Sequence, residues 1–253
     1  MSVDLRIQKS VVANLLRRPL AVALGPFVLG LDPATGNPGV NYATPLPGAE
    51  ITPSDVEGLV SAFRAHDRMP RLEYVAACVP GLEALLGARG FTLEARHEYL
   101  VHGGGAHVVP PDVPGFALQE PENDADRARL VAAQNEAFGE EPIASDADVA
   151  RLTRVQEQGG IVLMAVDHDG ACAGGGLAVA PHEGVSEIAG IAVRPAFRRR
   201  GLGGAVTAGI TARLRARGTD LAWLEASGED SWRVYERIGF RASGKRLYLR
   251  DAR

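Results

Sequence analysis

Residues 187–205 read EIAGIAVRPAFRRRGLGGA, and the stretch divides into three parts. Glu187–Val193 is apolar enough for a buried strand, and Pro195 ends it. Arg198, Arg199 and Arg200 then precede Gly201-Leu202-Gly203-Gly204, where a helix begins. Glycines carry no Cβ, so a ligand can approach the backbone closely. The first amides of a helix have no internal acceptor, and the helix dipole favours an anion there. Three guanidinium groups add charge-assisted donors. Strand, glycine turn and helix together form a pyrophosphate cradle. It is not a P-loop, because no Gly-Lys-Ser/Thr follows. It is a poor dinucleotide fingerprint, because Val206 stands where a third small residue is expected.

Working outward, the residues around the cradle read as mixed α/β. Before it, the pattern predicts an edge strand over Phe116–Glu120 and helices over Asp124–Phe138, capped by Asp124, and Asp146–Gln158, capped by Ser145 or Asp146. A hairpin of Ile161–Val166 and Ala171–Ala180 turns at Asp167–Gly170. After it come a helix over Gly201–Arg217, a strand over Leu221–Ala226, a helix over Ser231–Ile238 and a strand over Lys245–Arg250.

The chain has 253 residues, 46% hydrophobic and 23% charged, so it can bury a core and is not disordered throughout. Its net charge of −4 argues against a nucleic-acid coat or a polybasic membrane anchor. Cys78 and Cys172 make no disulfide scaffold and fit a reducing compartment. The apolar run Pro19–Leu31 is too short to span a bilayer and reads as a core strand, Phe27–Leu31. A soluble cytoplasmic protein is expected, with no metal. Residues 102–115, HGGGAHVVPPDVPG, read as a linker with His102 and His107 solvated, and divide the chain into 1–110 and 111–253. The first part echoes the second. Leu72–Val75, Gly81–Ala88, Gly90-Phe91 and Arg96–Val101 repeat the order of Leu221–Leu224, Ser231–Arg237, Gly239-Phe240 and Lys245–Arg250. At that offset Tyr99 meets Tyr248 and Leu86 meets Tyr235, which favours a duplicated fold.

Arg198-Arg-Arg-Gly201-Leu-Gly203, the preceding Ile191-Ala192-Val193, and Val234-Tyr235-Glu-Arg-Ile-Gly239-Phe240 resemble three motifs of the GNAT superfamily of N-acetyltransferases, in the right order. The resemblance is strong over 116–253. It implies two GNAT-like domains, each a mixed central sheet flanked by helices, with the N-terminal copy incomplete and lacking the arginine–glycine motif. It also implies acetyl-CoA as co-substrate. Arg198, Arg199, Arg200, Gly201, Leu202, Gly203 and Gly204 would hold the pyrophosphate, and Ile191, Ala192 and Val193 the pantetheine arm. Tyr235 would protonate the departing thiolate and also touch the cofactor. Glu187 or Glu225 would act as general base. Gly228 replaces an asparagine common in the family, and either Ser227 beside it or a backbone group would substitute.

The reaction implied is direct acetyl transfer to a primary amine in a ternary complex. The acceptor would be a small molecule or peptide, not nucleic acid or membrane, and the protein a monomer or homodimer. Five carboxylates, Glu136, Glu140, Glu141, Asp146 and Asp148, lie where the family shapes its acceptor pocket and could attract a cationic amine. They equally suit a solvated loop with helix caps. Cys172 lies in an apolar strand without a neighbouring base and is not expected to act as a nucleophile. The alternative reading is a non-catalytic acyl-CoA-binding sensor or partner-binding module.

Overall fold

The computed structural model describes residues 1–103, 108–226 and 228–252. Their packing separates two compact units, Met1–Tyr99 with Ala242–Arg253, and Leu100–Arg241.

The first unit contains α1 (Val3–Leu15), β1 (Leu20–Leu24), β2 (Phe27–Leu31), β3 (Tyr42–Pro45), α2 (Pro53–Ala65), β4 (Arg71–Val75), α3 (Leu82–Ala88) and most of β5 (Phe91–Gly103). It is completed by β11 (Arg241–Asp251). Its sheet order is β1-β2-β3-β4-β11-β5. Phe27–Leu31 is apolar throughout because both its faces are covered. Phe27, Leu29 and Leu31 join Leu59 and Phe63 of α2 and Leu86 of α3 in one core. On the opposite face, Gly30 leaves room for Leu15 of α1. Each such fully buried side chain contributes about 1.5–3 kcal/mol.

The sequence pattern gives the last strand to the second half of the chain. By packing, β11 goes with the first unit. It is antiparallel to β4, with Leu247 opposite Tyr74 and Leu249 opposite Leu72, and both leucines enter the first core. On the other face, buried Arg246 pairs with Glu73 at 2.9 Å, and Arg71 pairs with the same carboxylate. Both guanidinium groups flank the Tyr248 ring at 5.3 Å.

The second unit contains β6 (Phe116–Gln119), α4 (Asp124–Phe138), α5 (Asp146–Glu157), β7 (Ile161–Asp167), β8 (Cys172–Ala178), β9 (Val185–Val193), α6 (Leu202–Ala216), β10 (Leu221–Glu225) and α7 (Glu229–Ile238). Its strands run β10-β9-β8-β7-β6, beside the end of β5. The predicted elements are present, with Asn123 rather than Asp124 capping α4 and Ser145 capping α5. The Ala-Gly-Gly-Gly run of β8 reflects close packing. A Cβ on Gly175 would lie 2.3 Å from the Leu163 carbonyl and 2.6 Å from the Leu130 side chain.

The linker expectation needs correction. β5 runs on to Gly103, and His102 is 1% exposed rather than solvated. The reason is packing: His102 lies against Phe240 and Arg215. His107 lies outside the described residues. Among the described residues, no helix is long and apolar enough to cross a membrane, and no cluster of metal-ligating side chains occurs.

Candidate active site

The cradle begins with an irregularity in β9. Gly175 faces Ala192 and Leu177 faces Ala189, so Gly190 and Ile191 together oppose Gly176. This bulge takes Gly190 to φ +64° and re-aims the strand end Ile191–Val193. The Gln134 side chain of α4 donates to the Gly190 carbonyl at 2.7 Å. The isolated glycine inside a strand pattern is the sequence signal for this bulge.

β9 and β10 are parallel, with Leu221, Ala222 and Trp223 opposite Val185, Ser186 and Glu187. Among the described residues, pairing stops at Trp223–Glu187, so a gap opens towards Val193. Partners in register point the same way, and alternate residues point oppositely. Glu187, Trp223 and Glu225 therefore share one face, the face on which Ala189 packs with Leu130 and Val131 of α4. Ala222 and Leu224 face α6, in a core with Leu202, Val206 and Ile210. Both candidate carboxylates thus lie on the α4 face and are half-buried.

Beyond the gap, Pro195–Phe197 forms a 3-10 turn and the three arginines diverge in use. Arg198 Nε donates to the Val193 carbonyl at 3.1 Å and its Nη2 to the Ala137 carbonyl at 2.7 Å. It braces the loop against the ends of β9 and α4. Arg200 stacks over Phe116 at 5.9 Å and Phe197 at 5.7 Å. Arg199 is exposed and held at φ +62°, a conformation that disfavours any side chain. Gly201 at φ +86° is the N-cap of α6 and supplies no side-chain cap. Leu202, Gly203 and Gly204 follow as the first helical residues, with amides preceding any intrahelical acceptor. A Cβ on Gly201 or Gly203 would meet nothing within 4 Å. Gly203 is helical and costs about 1 kcal/mol relative to alanine. Nothing among the described residues requires that glycine.

Tyr235 lies on α7, 7% exposed, in the core shared with Leu202 and Val206. Val234 beside it approaches Gly204, 3.5 Å from where a Cβ would sit. Burial raises the Tyr235 phenol above its usual pKa, so it is protonated at neutral pH. Its hydroxyl makes no hydrogen bond with a described residue. Ser227 lies outside the described residues. Gly228 starts the turn into α7, where Ser231 Oγ accepts from its amide at 3.1 Å. Burial raises the Cys172 thiol, which leaves it a poor nucleophile.

Of the five acidic residues that run from the end of α4 into the first turn of α5, two have side-chain partners among the described residues. Glu136 pairs with Arg194 at 3.0 Å, and Asp148 accepts from Ser145 and pairs with Arg151. Glu140 and Glu141 are exposed.

An FR47-like protein family model matches residues 154–249. No curated protein matches. A GCN5-related N-acetyltransferase from Kribbella flavida is 25% identical, covers 100% of this chain and 97% of its own, and superimposes with a TM-score of 0.80. One from Sphaerobacter thermophilus is 16% identical over 89% of this chain and 76% of its own, at 0.63. A tandem GNAT protein from the clavulanic acid biosynthesis pathway is 17% identical over 88% and 77%, at 0.58. The last two show likeness of fold alone. The FR47-like match across the site and the GCN5-related fold across the whole chain together support the GNAT superfamily as the one this chain resembles.

Proposed function

We propose that Leu100–Arg241 carries an acetyl-CoA-dependent N-acetyltransferase site acting on a primary amine of a small-molecule or peptide acceptor. The uncapped start of α6 supports this most directly, because Gly201 and Gly203 leave open space against amides that lack acceptors. The residues present fit the pyrophosphate of acetyl-CoA. That co-substrate supplies an activated thioester. Amides of Leu202–Gly204 and the Arg199 guanidinium hold its phosphates. The re-aimed Ile191–Val193 segment lines the gap and would hold the pantetheine arm. Arg198 positions the loop.

Glu187 or Glu225, on the α4 face, takes a proton from the amine, directly or through water. The neutral amine attacks the thioester carbonyl in a ternary complex. Tyr235 gives its proton to the departing sulfur, since its raised pKa keeps that proton available.

We further propose that the first unit descends from a second copy. Its order α1-β1-β2-β3-α2-β4-α3-β5 repeats α5-β7-β8-β9-α6-β10-α7-β11. Its own candidate groove is filled from within. At the start of α2, Thr52 accepts from the Asp55 amide and Asp55 accepts from the Thr52 amide at 2.8 Å. β3 and β4 share one registered pair, Ala43–Leu72, beyond which Gln8 bridges them. Gln8 accepts from the Val75 amide at 2.9 Å and donates to the Pro45 carbonyl at 2.7 Å. Leu86 is buried at the position corresponding to Tyr235. One acetyl-CoA site per chain is expected.

The test is coenzyme A release across a panel of aminoglycosides, polyamines, amino acids and peptide N-termini, with acetyl-CoA binding measured by calorimetry. Gly203→Asp should abolish binding, since it puts a carboxylate where the pyrophosphate sits. Unchanged affinity would refute the cradle. Binding without turnover for any amine, unaffected by Tyr235→Phe, would favour the sensor reading.

A further inference from the structure

His102 is the penultimate residue of β5, where the sequence suggests a linker, and its ring packs against Arg215 of α6, Gly239 and Phe240. Arg215, in the last turn of α6, donates through Nη2 to His102 Nδ1 at 3.1 Å and to the His102 carbonyl at 2.8 Å. Arginine only donates, so Nδ1 must accept and the ring proton resides on Nε2. The same guanidinium reaches the Thr219 and Asp220 carbonyls at 3.2 and 2.6 Å. On its other side the ring packs on Phe240, centroids 5.3 Å apart. It also lies under Gly239, the left-handed C-cap of α7. A Cβ there would sit 3.2 Å from His102 Cδ2 and Nε2. Phe240 in turn packs on the Tyr235 ring at 6.3 Å, and its amide donates to the Tyr235 carbonyl at 3.0 Å.

We propose that His102 is a positioning residue that holds the α7 C-cap, and through it Tyr235, only while its imidazole is neutral. The inference rests on the assignment of Tyr235 as the proton donor. Among the described residues, the charged groups that act on the ring are both cationic, Arg215 from α6 and Arg241 from the start of β11, while the turn after α7 presents the Gly239 backbone and Phe240. Protonation therefore adds a third positive charge to a buried site and turns the Nδ1 acceptor into a donor facing a donor. Burial first, and the two arginines after it, lower the His102 pKa from the usual 6.5. The sign follows from linkage: the neutral ring's contribution is complete above the unfolded value of 6.5, and it is lost as pH falls towards the lowered folded value. The Tyr235 helix should thus loosen on acidification while the rest of the second unit persists.

The experiment is hydrogen exchange of peptides covering residues 232–240, from pH 7.5 to 5.0, corrected for intrinsic exchange, with kcat measured over the same range. The wild type should lose protection across that range, in step with charging of the imidazole. kcat should fall with the same midpoint while KM for acetyl-CoA holds. His102→Gln keeps an acceptor for Arg215 and cannot be protonated, so its protection and kcat should be free of that acid limb. Protection independent of pH in the wild type, or an unchanged limb in His102→Gln, overturns the proposal. Should His102→Gln not fold, the imidazole titration followed by NMR in the wild type decides: a pKa at or above 6.5 overturns it, and a value below supports it. Exchange needs no acceptor. A correct exchange limb with a kcat unaffected by Tyr235→Phe would refute the Tyr235 assignment and leave the His102 coupling standing.

Discussion

Arg199 offers a test in which stability and binding move in opposite directions. It is exposed, yet held at φ +62°. A left-handed conformation costs a residue with a side chain about 1–2 kcal/mol. Arg199→Gly removes that cost. Glycine has more backbone freedom to lose on folding, which returns about 0.5–1 kcal/mol. The balance is a stabilisation of up to about 1.5 kcal/mol, and for a unit of this size the Tm should rise by up to about 6 °C. Acetyl-CoA binding should weaken about tenfold at low salt, because one charge-assisted donor to the phosphates is lost. The loss should shrink as ionic strength rises, since the guanidinium is open to solvent. Differential scanning fluorimetry gives the first quantity and calorimetry the second. A fall in Tm would mean that the backbone there is not strained. An unchanged Kd would remove Arg199 from the cradle.

Other consequences are equally direct. Tyr235→Phe should lower kcat by about 10²–10⁴-fold with Tm nearly unchanged, because the hydroxyl bonds no described residue and, on the proposed function, supplies the proton to the departing thiolate. Since burial raises that phenol, kcat should not decline through loss of this acid as pH rises to its ordinary pKa near 10; an alkaline limb centred below 10 that vanishes in Tyr235→Phe would contradict the burial argument. Gly239→Ala forces a side chain to φ +111° and within 3.2 Å of His102, so urea denaturation should show a loss of about 2 kcal/mol or more. In the first unit, Glu73→Gln leaves Arg246 and Arg71 without their shared carboxylate, and the first thermal transition should drop by the equivalent of about 3–5 kcal/mol; a change under 1 kcal/mol would show that the pair is replaceable. Calorimetry should count one acetyl-CoA per chain, and two would refute the reading of Gln8 and Thr52 as internal occupants of the first groove.

The second unit was largely legible because its signals are local. Hydrophobic period, capping residues and glycine turns specify β7 to α7 to within a residue or two at most ends. Gly201 and Gly239 could be located because a left-handed cap needs glycine, whatever surrounds it. The first unit was less legible. α1 and α2 carry caps at Ser2 and Thr52, but the internal echo that marks the unit begins only at Leu72. What local pattern cannot carry is partnership. Lys245–Arg250 reads as a strand from its own residues, but nothing in them says that Leu72 and Tyr74 are its neighbours. His102 next to three glycines reads as linker because Arg215 and Phe240, which enclose it, are more than a hundred residues away. Among the site residues, the roles of Arg198, Arg199 and Arg200 look alike in sequence. Only packing separates the brace, the strained donor and the aromatic stack.

The position of β11 bears on how the chain is made. In the first unit's sheet it lies between β4 and β5, so residues 242–251 fill an interior place between strands that emerge from the ribosome about 140 to 170 residues earlier. Until those residues are synthesised, β4 and β5 each present an unpaired edge, and the second unit can complete its own sheet in the meantime. Pairing across so long a separation is slow. The first half of the chain is therefore the last to close, and a nascent or truncated chain lacking β11 exposes two adhesive strand edges to chaperones or to other copies of itself.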